Sequence, residues 1–347
     1  MPLGRRAVDA YIRRGMQPPT KITTLLAVTA AAMTGCALDN NDPIAARASA
    51  PEAPVAHVVQ PSTVTLPGDN FFPESITSSL SGTLYVSSIT TGAIVRIPSV
   101  SRTAEPFVPA GVNLGTAGVA FDDVRQVLWA CAVDLTFATP TALRAFAASD
   151  GSLVASYTVP NGGVCGDVVL ARGDLYITDT LLGLLFKLTT PSPFRATAGT
   201  LALWSADPAF KGAGFLQING IAFDGRRTLY TTNYSTGQLL RVRIHAGGTA
   251  EPATVIATPR PFTTPDGIRM VAPLSASLLV TENTGALLRA DISGDTATIT
   301  TLGTFDEPTS VVRAGRDLWV AEGQDLRLQG VVTTPLNLPF VVRRFTP

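Results

Sequence analysis

The sequence predicts an all-β chain: a six-bladed β-propeller preceded by a signal segment and a disordered tether. Three observations carry this. One phrase recurs six times at the spacing of a propeller blade, the last copy is short of strands, and the first sixty or so residues share neither feature.

Each copy of the phrase runs from a short apolar strand through a polar turn into a second strand. It reads Pro73-Glu74-Ser75-Ile76 to Leu84-Tyr85-Val86 in the first copy and Gly166-Asp167-Val168 to Leu175-Tyr176-Ile177 in the third. The fourth runs from Asn219-Gly220-Ile221 to Leu229-Tyr230-Thr231, and the fifth from Pro265-Asp266-Gly267-Ile268 to Leu278-Leu279-Val280. Looser copies put Trp129 and Trp319 at the marker position, and the markers follow one another at steps of 44, 47, 54, 49 and 40 residues. A four-stranded propeller blade takes roughly 40–50 residues, whereas a β-helix repeats far sooner. The strands are rich in Val, Ile, Leu, Tyr and Thr, with Gly, Asp and Asn between them, the composition of short paired strands. Third strands follow, such as Ala93–Ile97 and Gln238–Val242. Past position 60 no window keeps the three-and-four apolar spacing of a long helix.

After Leu318-Trp319-Val320 only Phe340–Phe345 remains to act as a strand. Ser62–Leu66, just ahead of the first blade, is the expected outer strand of the last one. Such closure joins both chain ends in one sheet and removes an open edge. The propeller therefore spans 62–347.

Residues 1–36 read as a signal segment. Arg5, Arg6, Arg13, Arg14 and Lys21 precede an apolar run from Ile22 to Met33, which ends in Thr34-Gly35-Cys36. The run is shorter than the ~20 residues needed to span a bilayer and has the charge, core and small-residue order of a secretory signal. A small residue directly before Cys36 resembles a bacterial lipoprotein cleavage site, which makes Cys36 the expected lipidation site; a plainly cleaved secretory signal is the alternative. Either Met1 or Met16 can serve as the start. Residues 37–61 are rich in Ala, Pro and Asp, and read as a disordered tether. The expected location is thus outside the cytoplasm, in the cell envelope or periplasm, with membrane contact only through an N-terminal lipid anchor.

Lys plus Arg and Asp plus Glu balance at 26 each. A chain without net charge is a poor electrostatic partner for nucleic acid, so recognition must come from a local site, and a small molecule is the expected partner. Oligomeric state is not encoded in these features. Cys131, in the second strand of the second blade, and Cys165, entering the third, are either a disulfide of an oxidising compartment or two buried thiols. His57 falls in the tether and His245 after the outer strand of the fourth blade, so neither suits a channel histidine. The chain also lacks a Gly-x-Ser-x-Gly elbow.

In a propeller the residue heading each innermost strand faces the central channel. Those residues are Glu74, Ala117, Gly166, Asn219, Asp266 and Thr309. Two carboxylates and a carboxamide converging on one point suit a hard divalent cation, with calcium or magnesium favoured over zinc where His and Cys are missing. Asn-Gly and Pro-Asp-Gly are also ordinary turn formers; it is the register shared with Glu74 that points to a site.

The Pro-Glu, Asn-Gly and Pro-Asp-Gly headings, in that order over residues 65 to 330, resemble the regucalcin and gluconolactonase family of calcium-dependent lactonases. The resemblance implies Glu74, Asn219 and Asp266 as the ligands of a calcium ion, with Asp266 also accepting a proton from water during lactone or ester hydrolysis. The family's channel Asn on the third blade aligns with Gly166, where Asp167 is the candidate replacement at the substrate. The Gly-Pro-x-Trp wording that follows the family's glutamate is Ser75-Ile76-Thr77 here. The competing expectation is a non-catalytic propeller of the NHL type that binds a ligand or protein in the cell envelope.

Overall fold

The computed structural model describes residues 62–160 and 163–346. The signal segment, Cys36, the tether and His57 lie outside the described residues. Among the described residues the strands form six sheets of four, and the fold is a six-bladed propeller. From channel to rim, the first blade is Pro73–Ser78, Leu84–Ser88, Ile94–Ile97 and Glu105–Val108. The second is Gly115–Asp122, Val127–Val133, Ala142–Ala147 and Leu153–Thr158. The third is Cys165–Ala171, Asp174–Asp179, Leu184–Thr189 and Thr200–Ser205, and the fourth Ile218–Phe223, Thr228–Asn233, Leu239–Arg243 and Thr254–Ile256. The fifth is Pro265–Met270, Ser277–Glu282, Ala286–Ser293 and Thr296–Thr304.

The sixth blade runs Pro308–Ala314, Asp317–Glu322 and Val341–Phe345, and is completed by Thr63–Thr65. Val64 pairs antiparallel with Val342. Backbone bonds from Leu66 N to Phe340 O and from Arg344 N to Ser62 O, both 2.8 Å, extend the join. The ring closes as the strand-poor last copy requires.

The markers explain why the blades stack. Tyr85, Trp129, Tyr176, Tyr230, Leu279 and Trp319 all lie on second strands and all are buried. A second strand is covered by blades on both faces, so it reads as a continuous apolar run and not as an alternation. Tyr85 shows the packing: its ring stacks on Phe121 of the next blade at 5.0 Å between centroids. His245 is exposed and follows the third strand of its blade, ahead of the outer one rather than after it. It is remote from the channel headings in either place.

Cys131 and Cys165 are joined in a disulfide that ties the second blade to the third across 34 residues. Closing a loop of that length restricts the unfolded chain by about 3–4 kcal/mol. Cys131→Ala with Cys165→Ala is expected to lower the urea-unfolding free energy by about that amount. A loss below about 1 kcal/mol would show that strain in the native state cancels the constraint.

Candidate metal centre

A register shift interrupts every innermost strand just after its start: between Pro73 and Ile76, Thr116 and Val119, Cys165 and Val168, Ile218 and Ile221, Pro265 and Ile268, and Pro308 and Ser310. The heading residues sit inside these bulges. A bulge holds an extra, unpaired residue and re-aims its side chain, which is how strands otherwise packed between blades present side chains to the channel. The next residue must be small where inner strands crowd together. A Cβ at Gly220 would stand 2.4 Å from Asp266 O, and one at Gly267 2.7 Å from Thr309 O.

Glu74 and Asp266 come together as the headings predict, and Asp325 joins them. One carboxylate oxygen from each of the three lies within 4.8 Å of the others. Asp325 opens the short helix Asp325–Leu328, which follows the second strand of the sixth blade. That helix is fixed by Gln324, whose amide exchanges bonds of 2.8 Å with the Asn337 backbone, and by Arg327, which pairs with Asp306 at 2.8 Å and Glu307 at 3.3 Å.

Both oxygens of Asp266 accept hydrogen bonds, from Asn219 Nδ2 at 2.7 Å and Asn283 Nδ2 at 2.9 Å. Asn219 thus reaches the cluster with its amide nitrogen toward Asp266; a turn of that amide presents Oδ1 instead. Glu74 Oε2 and Asp325 Oδ1 are buried without a hydrogen-bonding partner among the described residues. Buried polar atoms are nearly always satisfied, so two orphaned carboxylate oxygens facing one point call for a cation or protons.

The electrostatics agree. Burial, then the charges of Asp325 and Asp266, hold the Glu74 carboxyl well above its ordinary range. Burial and Asp325 do the same to Asp266, against the two amide bonds that favour its charge. Burial and Glu307 push Asp325 up to about 7. Like charges this close cannot all ionise unaided. Oxygen donors without His or Cys fit calcium or magnesium.

The other headings stay out. Thr309 Oγ1 donates to Pro73 O at 2.8 Å. At Gly166 a Cβ would stand 1.9 Å from Thr180 Oγ1, so Thr180 fills the space of the family's Asn and approaches Asn219 Oδ1 at 3.5 Å. Asp167, expected at the substrate, has its carboxylate taken up by protein groups. Its carboxylate takes Arg269 Nη1 at 2.6 Å, Nη2 at 3.2 Å and the Ile221 amide at 3.1 Å. This ion pair joins the fifth blade to the third. Removing one partner of a buried pair strands the other charge, so Arg269→Ala should cost about 3 kcal/mol in urea unfolding. The double exchange Arg269→Met with Asp167→Leu should recover most of it; a harmless single variant would show that water replaces the guanidinium.

A second ring, unread in the sequence, comes from residues directly after the second strands: Ile89, Thr180, Tyr234 and Asn283. Ile89, Thr180 and Tyr234 line a cavity of about 550 Å³ that has Glu74, Asn219, Asp266 and Asp325 at its inner end. Burial and the nearby carboxylates push the Tyr234 phenol well above its usual value, so it remains a neutral hydroxyl. In the sixth blade the ring position is Gly323, where a Cβ would stand 2.2 Å from Thr309 Cγ2; Asp325 enters two residues later.

No family model matches the sequence, and no curated protein matches it. Among solved structures the chain is similar to the major Malassezia sympodialis allergen Mala s 1, at 14% identity over 82% of this chain and 96% of that one, TM-score 0.61. It is similar to the PQQ-bound aldose sugar dehydrogenase of Streptomyces coelicolor at 17% identity over 82% and 96%, TM-score 0.55. A catalytically inactive virginiamycin B lyase from Staphylococcus aureus, solved with quinupristin, matches at 16% identity over 75% and 80%, TM-score 0.53. Identities this low establish the propeller fold and nothing narrower.

Proposed function

We propose that this propeller is a calcium-dependent hydrolase of a lactone or related ester, with chemistry like that of the regucalcin and gluconolactonase family its strand headings resemble. The observation that carries the reading is the cluster of Glu74, Asp266 and Asp325, with orphaned oxygens, at the inner end of a substrate-sized cavity. Glu74, Asp266 and Asp325 would hold the ion, joined by Asn219 once its amide turns. A bound divalent cation supplies polarisation of an ester carbonyl and acidity to a water.

The protein's own groups would do the rest. Asn219 and Asn283 orient Asp266 and favour its charged form, the form that would hold an ion. We favour Asp325 over Asp266 as acceptor of the water's proton, because Asp325 Oδ1 faces the Glu74 carboxyl and meets no N–H donor among the described residues, while both Asp266 oxygens are engaged. Calcium calorimetry of wild type beside Asp266→Ala, with lactone hydrolysis measured in calcium and in chelator, tests the reading. Binding and chelator-sensitive turnover should both be lost in the variant. Binding without turnover on any ester would leave the ligand-binding propeller as the better account, and no binding of any divalent ion would leave the headings as turn formers.

Export with a lipid on Cys36 belongs to the same proposal. Its structural support is the Cys131–Cys165 disulfide, a bond that persists in oxidising compartments. Among the described residues no helix is long and apolar enough to cross a membrane. Fatty-acid labelling of the protein and of Cys36→Ser checks it: label retained by the variant would overturn lipidation.

A further inference from the structure

The walls of the cavity differ in character from its floor. Val133, Leu135, Val164 and Leu216 face the space above the carboxylates, and among the described residues that line it there is no Lys or Arg. A phosphate or carboxylate substrate would find no counter-charge there, and a polyhydroxylated lactone would turn most of its hydroxyls toward carbon.

At the mouth stand two phenylalanines from different blades. Phe137, on the loop between the second and third strands of the second blade, is 54% exposed, and Phe215, ahead of the fourth blade, is 70% exposed. Their rings meet edge to face with centroids 6.3 Å apart. Phe137 holds this place at φ 56, a left-handed conformation unfavourable for a bulky residue. The loop is held there by Asp134, whose carboxylate accepts from the backbone and hydroxyl of both Thr136 and Thr139 at 2.6–2.9 Å. A strained backbone that exposes an aromatic ring gains nothing for the core; such strain collects at ligand sites.

We infer that the cavity takes a neutral lactone or ester bearing an apolar limb, alkyl or aryl, which lies against Phe137 and Phe215 while the carbonyl meets the carboxylate end. The inference rests on the hydrolase reading for the reacting group and on the cavity walls for the limb. The volume, about 550 Å³, is that of a pocket for a drug-sized molecule.

The test is a series of γ-lactones from butyrolactone to dodecalactone, with glucono-1,5-lactone, assayed on the calcium-loaded full-length protein. Calorimetric titrations with the matching hydrolysis-resistant γ-lactams run in parallel. Expected is a rise in kcat/KM of about three- to four-fold per methylene until the cavity is full, a parallel gain in lactam affinity, and slower turnover of the sugar lactone. Phe137→Asn, chosen because Asn tolerates the left-handed turn, and Phe215→Ala should flatten both slopes, with melting temperatures no lower than wild type. A flat slope, or preference for the sugar lactone, overturns the inference while chelator-sensitive hydrolysis stands. If no lactone is hydrolysed the hydrolase reading fails by itself, and the lactams decide: affinity rising with chain length sustains the apolar limb, and its absence overturns it.

Discussion

Asp325→Asn should bind calcium far more weakly than wild type, yet be the more stable protein when calcium is withheld. The two effects share one cause. Asp325 brings a third carboxylate to Glu74 and Asp266, with oxygens within 4.8 Å of one another. With an ion present, that carboxylate is a ligand and part of the charge that sets affinity. Its removal should exceed the roughly 10–100-fold loss that follows removal of an outer partner of a metal ligand. Without an ion, the same carboxylate is buried beside like charges, and its proton affinity is raised to about 7. Neutralising it at pH 8 should stabilise the apo protein by on the order of 1–3 kcal/mol, a range reduced for its partial exposure. Calcium calorimetry and chelator-treated melts of the two proteins check both halves. A variant that binds calcium like wild type removes Asp325 from the site, and one less stable in chelator shows that the carboxylate supports the helix it opens. Stability traded against function is the usual mark of a built site.

The fold was legible because a propeller writes the same strand sentence in each blade, and the buried markers Tyr85, Trp129, Tyr176, Tyr230, Leu279 and Trp319 sit at equivalent places on second strands. Glu74, Asn219 and Asp266 were legible for the same reason, since each occupies the bulge that opens an inner strand. Asn283 and Thr180 belong to a second periodic ring, one residue past each second strand, and that register could have been read. Asp325 could not. It comes from the one α-helix among the described residues, anchored by Arg327 to Asp306 and Glu307, and no repeat marks it. The partner of Asp167 was not legible either: the sequence puts Asp167 beside Gly166 but does not show Arg269 reaching across from the fifth blade. Contacts across a ring join residues far apart in sequence, and only blade-local register is written in the repeat.

The pH profile of stability should flatten when calcium is added. Glu74, Asp266 and Asp325 all have raised proton affinities in the folded protein, with burial the largest cause in each. A carboxyl so raised binds its proton more tightly folded than unfolded. Its contribution is therefore complete below the ordinary carboxylate pKa of about 4 and is lost as pH climbs through the folded value, which for Asp325 is about 7. In chelator the melting temperature should fall steadily from about pH 5 to pH 8. Calcium competes with those protons for the same oxygens, so its stabilising shift should be small at pH 5 and largest at pH 8. At 100 times its dissociation constant the ion adds about 2.7 kcal/mol, enough to offset much of the loss. Carboxylates held by arginine away from the cluster, such as Glu282 with Arg260 and Glu322 with Arg343, carry no reason to respond to calcium. The calcium-dependent difference between two melting curves thus isolates the cluster. A difference that does not grow with pH, or a chelator profile that rises toward pH 8, would mean that the three carboxylates are not held together as a proton-or-cation site.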